Sequence, residues 1–341
     1  MDTGVGPEFP WGWNRGILRH SYSTMRTRLR DFFTYIPKIE ARAALISIAV
    51  GVTMLGVKFL AYARTGSTAI LSDALEGIVN VIAAGFAAYS LATAHRPADE
   101  EHPYGHGKVE FLSAGFEGGM IVLAALIMLG EGAKRIHEIH RHGARIEAIL
   151  YGVLLLGVAM AVHAVLGTFL IRLGKRQNSI TLEADGWHLL TDAVSSGVAM
   201  LSLVLVKYTG WAYADPLGAI AIAIYISLTG MGLLRRAAAG LMDEQDNADG
   251  RLLREILDAH VNGREPRICS YHKLRHRHSG RYHWVDFHML VPAGWDIQHG
   301  HNVASTIEYE IEQALGVGNA TAHVEPCVDD KCAGCEVARK A

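Results

Sequence analysis

Residues 72–80 read Ser-Asp-Ala-Leu-Glu-Gly-Ile-Val-Asn, and residues 184–192 read Ala-Asp-Gly-Trp-His-Leu-Leu-Thr-Asp. Each run sits inside a long, mostly apolar stretch. In both, an aspartate (Asp73, Asp185) is followed three residues on by a metal-capable group (Glu76, His188), and four residues later by another (Asn80, Asp192). Positions i, i+3 and i+7 share one face of an α-helix. Ionisable groups in a lipid-embedded helix are costly and mark function. Two helices with the same polar spacing can face each other and supply four ligands: Glu76, Asn80, His188 and Asp192. Four oxygen or nitrogen donors suit a tetrahedral divalent ion. His188 favours zinc or another borderline metal, while Glu76 and Asn80 pull toward manganese or iron. The competing reading is that these groups only glue helices together by hydrogen bonds, and the repeated spacing argues against it. Asp73 and Asp185 read as acceptors that orient the ligands, or as caps of a turn. Glu117 and His163 have no partner pattern and read as structural or proton-related.

The apolar stretches around these runs define the class. The chain has 341 residues, 50% hydrophobic and 19% charged, with a mean hydropathy of +0.17. A soluble domain carries about 25% charged residues. The deficit is concentrated between Ala41 and Ala239, and the sequence after Asp243 reads as soluble. A spanning helix needs roughly 20 mostly apolar residues. Six candidates result: about 41–63, 69–93, 110–133, 146–172, 180–208 and 212–237. Glycines recur inside them, as small residues do where membrane helices pack closely.

An even number of spans puts both termini on one side. Arg15, Arg19, Arg26, Arg28 and Arg30 precede the first span; Arg172, Lys175 and Arg176 follow the fourth; Arg235 and Arg236 close the sixth. Positive residues favour the cytoplasmic face, so both termini are expected in the cytoplasm of an inner-membrane protein. The loop with Lys134, Arg135, Arg141 and Arg145 disagrees. Residues 1–37 show no apolar core before a cleavage site and read as a flexible cytosolic arm, not a signal peptide. A net charge of −2 gives no reason to expect a nucleic-acid partner.

Residues 250–262 predict an amphipathic helix through Leu252, Leu253, Ile256 and Leu257. Strands are predicted over 268–277 and 282–291, a second helix over about 299–315 and a last strand over about 319–325. The order αββαβ fits a small α+β domain. Three of the four cysteines, Cys327, Cys332 and Cys335, crowd the last fifteen residues. They are no disulfide framework; cytosolic thiols stay reduced and can bind metal. Cys-x2-Cys is a metal-like unit that His323 or a partner-chain group could complete, set against plain thiols on a disordered end. His137, His140 and His142 fall on the far side of the membrane and read as a solvated loop.

The segment Arg-Pro-Ala-Asp-Glu-Glu-His-Pro-Tyr-Gly-His-Gly-Lys (96–108), with the two intramembrane runs, Tyr213-Ala214-Asp215-Pro216 and Leu241-Met242-Asp243, resembles the cation diffusion facilitator family. The resemblance covers about residue 40 to Cys327. It implies a homodimeric exporter of zinc or a similar divalent cation, driven by proton antiport through alternating access. The implied architecture is a membrane all-α bundle of six transmembrane helices followed by a small cytosolic α+β (ferredoxin-like) domain. The chain then divides into the arm (1–37), the transmembrane domain (38–242), the metal-binding domain (243–326) and a Cys-containing tail (327–341). In such proteins the transported ion lies between spans two and five, at positions matching Glu76, Asn80, His188 and Asp192. Glu then Asn departs from the usual span-two pair and opens the metal to iron(II), manganese, cobalt or cadmium as well as zinc. A second ion is implied at Asp99, His102 and His106, a carboxylate and two imidazoles within eight residues of a short loop. Lys108 and Asp243 match a charge pair near the membrane exit. His272, His288, His301, His323 and Glu325 match metal-binding positions of the cytosolic domain. His276, His278, His283 and His299 match no ligand position.

Three other functions compete. An intramembrane zinc enzyme would need a general base beside an open metal position, and no His-Glu-x-x-His occurs, so an enzyme is not expected. A non-transporting metal sensor would not need ligands at mid-membrane. A passive channel would carry metal regardless of the proton gradient.

Overall fold

The computed structural model describes residues 35–65, 68–142 and 149–328. Among the described residues, six long helices come first: α1 Lys38–Thr65, α2 Thr68–Ala94, α3 Val109–His142, α4 Ile149–Gln177, α5 Ile180–Thr209 and α6 Ala214–Leu241. Four contain stretches long and apolar enough to cross a membrane: Lys38–Leu60, Val109–Arg141, Gly157–Gln177 and Pro216–Leu241. Six such spans were expected. The two helices that fall short among the described residues are α2, whose apolar part there is Asn80–Ala94, and α5. These two carry the polar runs.

Helix pairing follows chain neighbours only in part. α3 lies along α6, α4 along α5 and α1 along α2, while α3 and α6 also touch α5. The α4–α5 contact rests on a glycine crossing. A Cβ on Gly186 would sit 2.7 Å from the Ile171 amide nitrogen and 2.8 Å from the Gly167 carbonyl oxygen. Only two facing glycines let the backbones approach so closely. Because Gly186 lies between Asp185 and His188, this crossing sets the depth and rotation of the polar face of α5.

A soluble α+β unit follows: α7 Asn247–Val261, β1 Ser270–Ser279, β2 Tyr282–Pro292, α8 Ile297–Leu315 and β3 Gly318–Cys327. The αββαβ order is the one the periodicity predicts. Asp246 caps α7 by accepting from the Ala248 and Asp249 amides, and Asp296 caps α8 through the His299 amide. β1 and β2 form an antiparallel hairpin, and β3 pairs parallel to β2 after the α8 crossover. This β2–α8–β3 unit supplies the βαβ character, on a sheet of three strands among the described residues. Strand alternation sends Val285, Phe287 and Met289 into a core with Leu253, Leu257, Ile307 and Ile311. The other face of the sheet stays open. β3 runs through Cys327, so that residue ends a strand and does not begin the tail.

Two expectations follow. Gly186→Leu should force α4 and α5 apart, giving a full chain that is not recovered as a folded species in detergent by size-exclusion chromatography, whereas Gly85→Ala, where a Cβ meets nothing within 4 Å, should be recovered normally. Phe287→Ala should destabilise the soluble unit by about 3–5 kcal/mol in denaturant unfolding, against a change within about 0.5 kcal/mol for the exposed Tyr309→Ala.

Candidate metal sites

The polar faces of α2 and α5 meet. Asn80 Nδ2 donates to Asp192 Oδ2 at 3.0 Å, and Asn80 Oδ1 lies 3.2 Å from His188 Nε2. His188 Nε2 and Asp192 Oδ2 are 4.0 Å apart. Three of the four residues expected at the transport site are therefore within one metal's reach. The fourth, Glu76, lies one turn before Asn80 on α2, and its side chain, like that of Asp73, lies outside the described residues. Asp185 accepts a hydrogen bond from Ser47 on α1 at 2.8 Å, in keeping with an anchoring role beneath the cluster. A cavity lined by Ser47, Lys58, Asn80, His163, Asp185 and His188 opens beside it.

Sequence reasoning left Glu117 without a partner, and the structure supplies one. Glu117 on α3 is fully buried, with Oε2 3.8 Å from His188 Nδ1. His188 lies between Asn80, at hydrogen-bond distance, and this buried carboxylate, beyond it. The available signal was a lone acidic residue in the middle of an apolar helix. Its helix gives no periodic partner, because the partner belongs to α5. His163 also lines the cavity, which the sequence did not indicate.

The second group lies in the loop after α2. Asp99 Oδ1 accepts from the His102 amide at 2.7 Å and faces its ring Nδ1 at 3.1 Å, while Oδ2 is 3.4 Å from His106 Nε2. The rings sit 4.4 Å apart. Burial pushes the Asp99 carboxyl up, but the hydrogen bonds from His102 and the two imidazoles outweigh it and hold it below the ordinary carboxylate range. All three expected loop residues converge.

The third group is written into the strand register. His272 on β1 pairs with His288 on β2, which pairs with His323 on β3. Three imidazoles thus form a row across the open face of the sheet, with ring centroids 5.0 and 4.7 Å apart. Two residues further along β3, Glu325 reaches back to all three: 2.7 Å to His288 Nδ1, 3.4 Å to His272 Nε2 and 3.7 Å to His323 Nε2. The His288 hydrogen bond, with the charges of the neighbouring imidazoles, lowers the Glu325 carboxyl. His301 does not join this row. It is exposed on α8, which packs on the opposite, core face of the sheet, so a five-residue set within one chain is not formed. His323 lies beside Glu325 on the same strand. Cys327 is buried at the end of β3; Cys332 and Cys335 lie outside the described residues.

Lys108 and Asp243 pair as expected, with Nζ 2.8 Å from Oδ1. The structure adds Arg277 from β1, 3.3 Å from Asp243 Oδ2. Arg281 at the hairpin tip forks onto the fully buried Glu40 of α1 at 3.0 and 2.8 Å. Burial pushes the Asp243 carboxyl up, but Lys108 and Arg277 more than offset it and hold it low. His137 and His140 are exposed near the end of α3, apart from these groups; the His142 side chain lies outside the described residues.

Residues 44–242 match the model of the cation efflux transmembrane domain, and residues 252–327 match the cytoplasmic domain of cation efflux proteins. An uncharacterized transporter of Synechocystis sp. is 36% identical over 84% of this chain and 91% of its own length. The cation-efflux pump FieF of Shewanella oneidensis is 28% identical over 88% of this chain and 97% of its own. The magnetosome protein MamB of Magnetospirillum gryphiswaldense is 27% identical over 74% and 82%. With its helical bundle, its soluble α+β unit and both halves matched in order, the chain belongs to the cation diffusion facilitator family and is a membrane cation-efflux transporter, not an enzyme.

Proposed function

We propose that this protein exports a divalent cation, zinc first, from the cytoplasm across the cell inner membrane in exchange for protons. The observation that carries the reading is the cluster of Asn80, His188 and Asp192, which joins two helices through metal-capable groups inside an apolar bundle. An imidazole beside carboxylate and amide oxygens is a borderline donor set. Zinc fits it, and the oxygen share contributed by Asn80, with Glu76 as the fourth ligand, also admits iron(II), manganese, cobalt or cadmium.

The cycle uses the same residues. Metal enters from the cytoplasm and is held by Glu76, Asn80, His188 and Asp192. The bundle then rocks to open outward. Protons arriving from outside compete for His188 and the carboxylates, because each must be deprotonated to hold metal. Glu117, 3.8 Å behind His188, gives an arriving proton a second residence next to the ligand. Asp99, His102 and His106 form a loop site, and His272, His288, His323 and Glu325 a cytosolic one, whose occupancy biases the transport equilibrium. The match of residues 252–327 to the family's cytoplasmic domain supports a homodimer with His301 completing the cytosolic ligands from elsewhere in the assembly. The arginine-rich ends of the spans support cytoplasmic termini.

Uptake into proteoliposomes tests this. Zinc, manganese, iron(II), cobalt and cadmium are compared with and without a pH gradient. One ion should show gradient-dependent flux, and His188→Ala with Asp192→Ala should reduce it by at least about 100-fold, since even outer partners of metal ligands cost 10–100-fold. Flux indifferent to the gradient would mean a passive channel; no flux for any metal in folded protein would mean a sensor. Glu117→Gln should leave metal binding within a few-fold of wild type but flatten the dependence of flux on the gradient, measured in the same vesicles.

A further inference from the structure

The β1–β2 hairpin carries a second pair of histidines, away from the row described above. His278 and His283 are register partners, one pair in from the two-residue Gly280-Arg281 turn. Their rings lie 4.4 Å apart at an interplanar angle of 57°. Both aim a ring nitrogen at one oxygen of one carboxylate: His278 Nε2 and His283 Nδ1 are each 3.1 Å from Asp249 Oδ2. Asp249 stands in the first turn of α7, held there by the Asp246 cap on its amide. All three ligand atoms lie within 4.8 Å of one another.

We propose that Asp249, His278 and His283 form a further binding site for zinc or a similar borderline divalent cation, one that clamps the hairpin to α7 beside the membrane domain. The geometry is that of a metal triad. A tetrahedral ion with ligand bonds of 2.0–2.1 Å has ligand–ligand edges of about 3.3 Å. The two 3.1 Å separations at Asp249 are near that edge without rearrangement. Two imidazoles and a carboxylate leave one position open, and the side chains of Asp249 and His278, 21% and 26% exposed, leave water access to it. His283 is 9% exposed, so the site is set into the surface, not displayed on it. A plain hydrogen-bonded trio is the alternative. In it both imidazoles donate to the same Asp249 oxygen, which has lone pairs for two, and the zinc titration below separates it from a metal site.

The location gives the site a consequence. The hairpin tip presses on the loop before α3, where a Cβ on Gly107 would overlap the Ser279 carbonyl. Arg277 stacks over Tyr104 at 4.8 Å and pairs with Asp243, and Arg281 holds Glu40. α7 begins four residues after Asp243. An ion bound by Asp249, His278 and His283 therefore ties the chain leaving the last membrane helix to the hairpin that touches the first and third. Metal occupancy here rigidifies the junction between the two parts of the transporter.

The test uses the full chain in detergent, stripped of metal and titrated with zinc against a competing chromophoric chelator. The variant carrying Asp249→Asn, His278→Gln and His283→Gln should bind one zinc fewer per protomer than wild type, with its remaining affinities unchanged. Limited proteolysis should show zinc protecting the segment between Asp243 and His283 in wild type and not in this variant. The single His278→Gln, the mildest change, should weaken the same site by at least about 10-fold, which keeps the test valid if the triple variant folds poorly. Equal zinc stoichiometry and affinity in folded wild type and variants would overturn the proposal and leave the trio as a hydrogen-bonded cluster. Loss of transport by His188→Ala would not alter the count at this site, so the two proposals fail separately.

Discussion

Ionisable side chains inside a lipid-facing bundle must be partnered, and this constraint organises the membrane half of the protein. A charged group at the centre of a spanning helix costs about 2.5–3.5 kcal/mol on insertion scales. α5 alone carries Asp185, His188 and Asp192. Each is met by a neighbour from another helix: Ser47 from α1, Glu117 from α3, Asn80 from α2. The polar face of α5 thus dictates which helices surround it. The glycine crossing of α4 on its other side permits that arrangement, since a bulkier residue at 186 would rotate the ligands away from their partners.

Where the bundle meets the soluble unit, charged pairs stand beside an aromatic contact, Tyr104 edge-on to Trp284 at 5.0 Å. Lys108, Arg277 and Asp243 form one group, Arg281 and Glu40 another. Glu40 has no solvent exposure, so Arg281 is needed to neutralise it. Breaking such a buried pair from one side costs about 3–5 kcal/mol because a bare charge is left behind. The junction is strong while paired and strict about geometry, as a device passing conformational change between two parts requires.

The soluble unit shows how a sheet arranges a ligand set. Pairing of adjacent strands places His272, His288 and His323 side by side, and the period-2 alternation keeps all three on the face away from the core. The same alternation puts Phe287 and Met289 inside. A slip of one residue in either pairing would scatter the imidazoles and expose the core together. Packing and metal chemistry therefore share one register, and His301, on the helix behind the sheet, falls outside it.

Much of this was readable in the sequence. Helical spacing within a segment is a local property, so the faces of α2 and α5 and the αββαβ order followed from periodicity and short-range spacing, while the loop site of Asp99, His102 and His106, the pairing of Lys108 with Asp243 and the choice of cytosolic histidines came from family resemblance. Four things were settled only by the tertiary structure. Glu117 meets His188 because α3 packs against α5, a long-range choice no single helix encodes. His301 is removed from the sheet row by the side on which α8 crosses. Cys327 belongs to a strand because β3 pairs along β2 to Pro292. His278 and His283 gain meaning only when the hairpin brings Asp249 to them from a different element. The sequence by itself determined which residues are able to bind metal and which elements carry them; packing between elements distant along the chain decided which of them meet, because a contact between two helices or strands depends on both surfaces and is written in neither alone.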